Sequence, residues 1–172
     1  MESLTATEMA EVFWPVLQTN PDPPLAVRVM VEPEQPISSG PALAITEKKI
    51  LIITEAWCGD ASHLVPVFCK LTELNPNFET RLVYRDENLA LMEQFLTNGA
   101  KSIPIIIVMD EAYNLVFSWG PRPLEMQKRV TEYKKNPDRA YDDFLNETQV
   151  WYNKDKGKSA IIELQNEFAE LV

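Results

Sequence analysis

Residues 56–63 read AWCGDASH, with Cys58 set between Trp57 and Gly59 directly after a hydrophobic run. This is a setting for a redox-active thiol at the start of a helix. A two-thiol centre needs a second sulfur close by to attack the mixed disulfide that the first one forms. Three residues past Cys58 the chain has Ala61 instead. Cys69 is the only other cysteine. On one helix it lies about 16 Å from Cys58 along the axis at ~1.5 Å per residue, whereas a disulfide needs Cα atoms within roughly 7 Å. A helix start lowers a thiol pKa through the dipole and the unpaired N–H groups, and Asp60, two residues on, works the other way. The balance predicts a moderately reactive thiol; the plainer alternative is a small, inert residue at a helix start.

The other candidates are weaker. His63, the single histidine, follows Cys58 by five residues, which at about 100° per residue puts it on a different side of the helix, so it is not expected to be the base. Ser62 shares the side of Cys58 and could donate a weak hydrogen bond, although a polar residue at a helix start explains it as well. Cys69 sits on an apolar helix face and reads as core filler. Two cysteines eleven apart and one histidine make no zinc pattern, and five dispersed glycines make no phosphate cradle. Neither a metal nor a cofactor is expected. Lys154, Lys156 and Lys158 read as a solvated loop, and Arg122, in GPRP, is placed near the end of the site.

The elements that must position Cys58 follow from hydrophobic patterning. ILIIT, residues 50–54, reads as a strand covered on both faces. Residues 60–74 carry Leu64, Val67, Phe68, Leu71 and Leu74 at helical spacing, with a kink predicted at Pro66 and a stop at Asn75-Pro76. Residues 80–86 read as a second strand, and 89–99 as a helix closed by Gly99. A third strand is entered through Pro104, and YNLVFSWG makes a fourth, forming an antiparallel hairpin with it. PRPLEMQKRVTEYKK reads as a helix. The order over 49–135, β-α-β-α-β-β-α, is that of an α/β layer structure with helices on both faces of a mixed sheet.

Downstream, a helix around 141–152, a basic loop NKDKGK and a helix capped by Ser159 are expected to pack on the domain. Upstream, a helix over 3–19 precedes a proline-rich stretch holding one short strand, LAVRVMV. The chain is thus divided into an N-terminal extension (1–45), a core (46–135) and a C-terminal helical extension (136–172).

Composition sets outer bounds. The 172 residues suit one domain with additions, and 45% hydrophobic with 24% charged is ordinary for a globular protein. A formal charge of −10 repels phosphate backbones and anionic membranes, so neither nucleic acid nor membrane is an expected partner. The longest apolar runs fall short of the ~20 residues that span a bilayer. Residues 1–7 have no basic n-region, so a cytoplasmic location with reduced thiols is expected.

Over roughly 49–135 these features resemble the thioredoxin family. A buried strand ends in Trp57-Cys58-Gly59, Pro66 follows eight residues after Cys58, Ile103-Pro104 opens the third strand, and Gly120 closes the hairpin. EAWCGDA, GAKSIP, WGPRP and WYNKDKGKS look like a bacterial thioredoxin-like subfamily with extra segments at both ends and one cysteine in the active-site turn. The resemblance implies a thioredoxin-like mixed sheet flanked by helices, and a cis Pro104 facing Cys58. It also implies an Ile103 backbone free to pair with an extended peptide. Two departures matter: the resolving cysteine is Ala61, and the buried acid expected six residues before Cys58 is Ile52.

The function expected on this basis is thiol-disulfide oxidoreduction by a single cysteine, with an external thiol resolving the mixed disulfide. Cys58 is the nucleophile, and Trp57, Gly59, Asp60, Ile103, Pro104 and Arg122 contact the substrate. The partners are protein or small-molecule thiols and disulfides, and the sequence does not fix an oligomeric state. The alternative is a non-catalytic module that binds peptides or proteins through the same groove. Peroxide reduction through a sulfenic acid also fits one thiolate, but it wants a cationic neighbour that the sequence does not locate.

Overall fold

In a computed structural model, residues 46–170 are described. The expectations for residues 1–45, including the 3–19 helix and the LAVRVMV strand, lie outside them. Four strands, β1 (Lys48–Thr54), β2 (Phe78–Tyr84), β3 (Ile105–Met109) and β4 (Leu115–Trp119), form one sheet in the order β2-β1-β3-β4. β1 and β2 run parallel, while β3 is antiparallel to both β1 and β4. The parallel pair needs a crossover, which α1 (Gly59–Glu73) supplies. The remaining helices are α2 (Leu89–Met92), α3 (Leu124–Lys135), α4 (Tyr141–Asp155) and α5 (Lys158–Ala169).

Both faces of the central strands are buried, as their unbroken apolar runs require. Ile50, Ile52, Ile106 and Val108 pack on one side against Leu64 and Phe68 of α1, Met126 and Val130 of α3, Phe144 of α4 and Leu164 of α5. Leu51, Ile53, Ile105 and Ile107 pack on the other side against Leu91 and Met92 of α2. Helices thus lie on both faces of a mixed sheet. Residues 136–170 join the first of these cores. The Tyr133 and Phe144 rings stack 4.1 Å apart between α3 and α4, and Phe168 of α5 meets Phe78 and Phe117 at 5.2 and 5.0 Å. Glu163 of α5 accepts hydrogen bonds from the Trp119 indole at 3.0 Å and from the Leu124 N–H at 2.9 Å, so it caps α3 across the fold.

Several boundaries differ from the sequence expectation. α1 does not: it includes Pro66 and ends at Glu73 with Leu74 as its cap, directly before the expected stop at Asn75-Pro76. The second strand begins two residues earlier, at Phe78. The helix expected over 89–99 stops at Met92, where the Gln94 and Phe95 N–H groups bond back three residues to Leu91 and Met92, and Asn98 and Gly99 take positive φ (51° and 77°) in a separate tight turn. Thr97 and Ala100 flank that turn and exchange hydrogen bonds of 2.9 and 3.0 Å, the pairing that an Asn-Gly turn favours. The expected NKDKGK loop is mostly helix, with Asn153–Asp155 ending α4. Only Lys156 and Gly157, both left-handed, separate α4 from α5. Ser159 is not the cap; Gly157 holds that position, and the Ser159 N–H donates to Asp155.

Candidate functional site

Because β1 and β2 are parallel, their C-terminal ends emerge at the same edge of the sheet, and the Cys58 turn lies there. Cys58 is the residue before the first turn of α1, and its carbonyl accepts from the Ser62 N–H at 3.0 Å. The half-buried Sγ donates to the carbonyl oxygen of Ile103 at 3.4 Å. The next peptide bond, Ile103–Pro104, is cis, and both of these residues are buried. Sulfur, helix start and cis-proline segment are therefore brought together by β1, α1 and the entry to β3.

The electrostatics differ from the sequence expectation. Burial pushes the Cys58 thiol above the ordinary range; the Ala61 N–H opposes this, Asp60 adds to it, and the Asp60 N–H and the Arg122 charge pull it back. The helix-start effect is present, but desolvation outweighs it. Spacing alone could not reveal that, because the burial comes from segments far away in the chain. Cys69 is also a free thiol raised by burial.

Asp60 and Arg122 face each other. The Asp60 carboxylate pairs with the Arg122 guanidinium, their side chains only 13% and 16% exposed, and it also accepts the Tyr152 hydroxyl of α4 at 2.7 Å. Arg122 Nη1 donates to Gln127 at 3.3 Å, whereas its buried Nε has no partner among the described residues. The placement of Arg122 depends on Gly120, which takes φ +127°; a Cβ there would lie 2.3 Å from the Pro104 carbonyl oxygen. Only glycine lets the GPRP loop lie this close to the cis-proline segment. The cation that the sequence did not locate near Cys58 is therefore Arg122, engaged with Asp60.

α4 roofs one side of the turn. Its residue Gln149 lies 3.7 Å from where a Gly59 Cβ would stand, and it bonds His63 Nε2 at 2.6 Å, while the His63 ring stacks on Tyr152 at 4.6 Å. His63 is thereby turned to α4 and not to Cys58. Ser62 donates to the Gly59 carbonyl at 2.7 Å. On the open side Trp57 is 64% exposed, with the Arg85 guanidinium 4.8 Å from its ring centroid. Arg85 also holds the Lys101 carbonyl at 3.1 Å.

Sequence reasoning missed Tyr152, Gln149 and Arg85. Arg85 was findable, since it directly follows a strand parallel to β1 and must emerge at the same edge. Tyr152 carried only a core signal, two helical turns after Phe144 on the same stripe.

Among the described residues no group of histidine, cysteine and acidic side chains could hold a metal ion. No helix among them is long and apolar enough to cross a membrane.

An α/β sheet carrying a cysteine at a helix start beside a cis-proline defines a thioredoxin-like protein. A family model described as Thioredoxin matches residues 30–134, and the chain belongs to that family. Similar solved structures include an HIV epitope scaffold, at 20% identity over 94% of this chain and 87% of that one, with a TM-score of 0.46. A protein of unknown function from Pseudomonas aeruginosa is similar at 18% identity, over 95% and 87%, with a TM-score of 0.47. A yeast mitochondrial 1-Cys peroxiredoxin is similar at 17% identity, over 51% and 79%, with a TM-score of 0.37. No curated protein matches the chain.

Proposed function

We propose that the chain carries out thiol–disulfide exchange through Cys58 alone. Cys58 loses its proton, and the thiolate attacks one sulfur of a substrate disulfide R–S–S–R′. The Cys58–S–S–R bond forms as the R′ thiolate leaves and takes up a proton. An external thiol, as its thiolate, then attacks the R sulfur, forming a new disulfide with R and releasing Cys58 as thiolate. The observation that carries this reading is the placement of the Sγ at the start of α1, 3.4 Å from the carbonyl next to the cis-proline. Trp57 supplies exposed apolar surface beside it, and the Ile103-Pro104 backbone is the element against which a substrate chain aligns. The substrates are protein or small-molecule disulfides, and the location that suits a reduced Cys58 is the cytoplasm.

A second reading, peptide binding without chemistry, is favoured by the raised thiol. One experiment separates the two. Alkylation of Cys58 is expected to be slow at neutral pH and to rise roughly tenfold per pH unit toward the thiol pKa, since only the thiolate reacts. A peptide disulfide with a good leaving thiol is expected to be trapped as a mixed disulfide, and Cys58→Ser is expected to abolish trapping. Absence of trapping even at alkaline pH, with peptide binding intact in Cys58→Ser, would sink the exchange reading in favour of binding.

A further inference from the structure

Of the sequence features outside the reacting turn, GPRP is the one whose placement the exchange reaction leaves unexplained. Its arginine enters a largely buried position, pairs with a carboxylate two residues from the reacting cysteine, and leaves its own Nε without a partner among the described residues. Burying a guanidinium with an unmatched donor is costly, and a neutral side chain would pack there at less cost. Without Arg122, the Asp60 carboxylate would stand unneutralised at the helix start where Cys58 must ionise.

We propose that Arg122 supports ionisation of Cys58 through its own charge, which offsets at the sulfur the charge of Asp60, the carboxylate that the Tyr152 hydroxyl also holds. The inference rests on reading Cys58 as the reacting thiol. Three elements meet at the carboxylate: α1 supplies Asp60, the loop between β4 and α3 supplies Arg122, and α4 supplies Tyr152. The loop is itself keyed to the cis-proline segment through Gly120. The charged and titratable groups facing the thiol are Asp60 from its own helix, Arg122 from the loop and Tyr152 from α4. On the β2 side, Arg85 lies over Trp57 and pairs with Asp86. Asp60 and Arg122 act on the sulfur in opposite senses, and this gives the test its signs.

The measurement is the pH profile of Cys58 alkylation in the full chain, with Cys69→Ser as background so that one thiol reacts. Arg122→Gln is expected to slow alkylation at neutral pH about tenfold and move its midpoint up about one unit. Asp60→Asn is expected to speed alkylation and move the midpoint down, and Arg122→Lys, which keeps the charge, to stay near the parent. The double variant Asp60→Asn/Arg122→Gln loses both charges and is expected to return close to the parent. A double variant that matches Asp60→Asn alone overturns the proposal, because Arg122 then has no effect on the sulfur. So does an Arg122→Gln profile that superimposes on the parent. If Arg122→Gln alone fails to fold, the comparison of the double variant with Asp60→Asn still decides. Alkylation needs no disulfide substrate, so charge variants that shift as expected in a chain that traps no mixed disulfide support this inference while ending the exchange reading.

Discussion

Tyr152 shows how much of the site depends on one side chain that the sequence presents as core. Its hydroxyl is buried against Asp60, and desolvation, reinforced by the neighbouring carboxylate, holds its pKa far above the usual phenol range. A hydrogen bond to a charged group contributes about 1.5–3 kcal/mol, so Tyr152→Phe is expected to lower stability by that amount near neutral pH. The folded pKa is raised, so the contribution is complete below the unfolded tyrosine value of about 10 and declines above it as the unfolded chain ionises. Urea midpoints of parent and Tyr152→Phe are therefore expected to converge as the pH rises past about 10; a constant gap would show that the phenol is not held protonated. Cys58 was legible at this scale because its type and its place after a buried strand are local facts. The direction of its pKa was not, because burial is imposed by α4 and by the cis-proline segment, which are distant in sequence.

Among the elements, strands and long helices were readable where one period ran unbroken. β1 and β3 are continuous apolar runs, and α1 and α3 keep a helical stripe. The misread elements share a cause. Leu89, Met92, Phe95 and Leu96 mimic a helical stripe, but the chain leaves the helix after Met92 and turns again at Asn98-Gly99. Between α4 and α5 the charged string NKDKGK looked like a loop, yet two left-handed residues are enough to reverse the chain. Gly157 is required there twice over, by its φ of +77° and by Val67 Cγ2, 2.8 Å from where a Cβ would stand. Gly157→Ala is expected to cost about 1–3 kcal/mol. Adding Val67→Ala relieves the contact but not the backbone strain, so the pair is expected to recover only part of the loss in thermal unfolding. Full recovery would mean that the backbone term is negligible.

At the scale of the whole molecule, residues 136–170 pack on one face of the sheet, and which surfaces meet there was the least legible feature, since no local pattern states it. Phe144 and Leu164 are 6% and 5% exposed, and burying two such side chains contributes about 3–6 kcal/mol. That is a large part of the ~5–15 kcal/mol by which domains are stable. Deleting residues 141–172 also removes the Glu163 cap of α3 and the Tyr152 bond to Asp60. The truncated chain is expected to lose cooperative thermal unfolding and to bind a hydrophobic dye. A sharp transition near the parent temperature would show that the core stands without the extension. The same arrangement has a consequence in time. Tyr152 follows Asp60 by 92 residues. At ~5–20 residues per second the ribosome therefore delivers it roughly 5–20 seconds later. Throughout that interval the Cys58 turn lacks both the Tyr152 hydroxyl that holds Asp60 in the folded chain and the helix that roofs it, and Arg122, made earlier, is the one of the two partners of Asp60 already present.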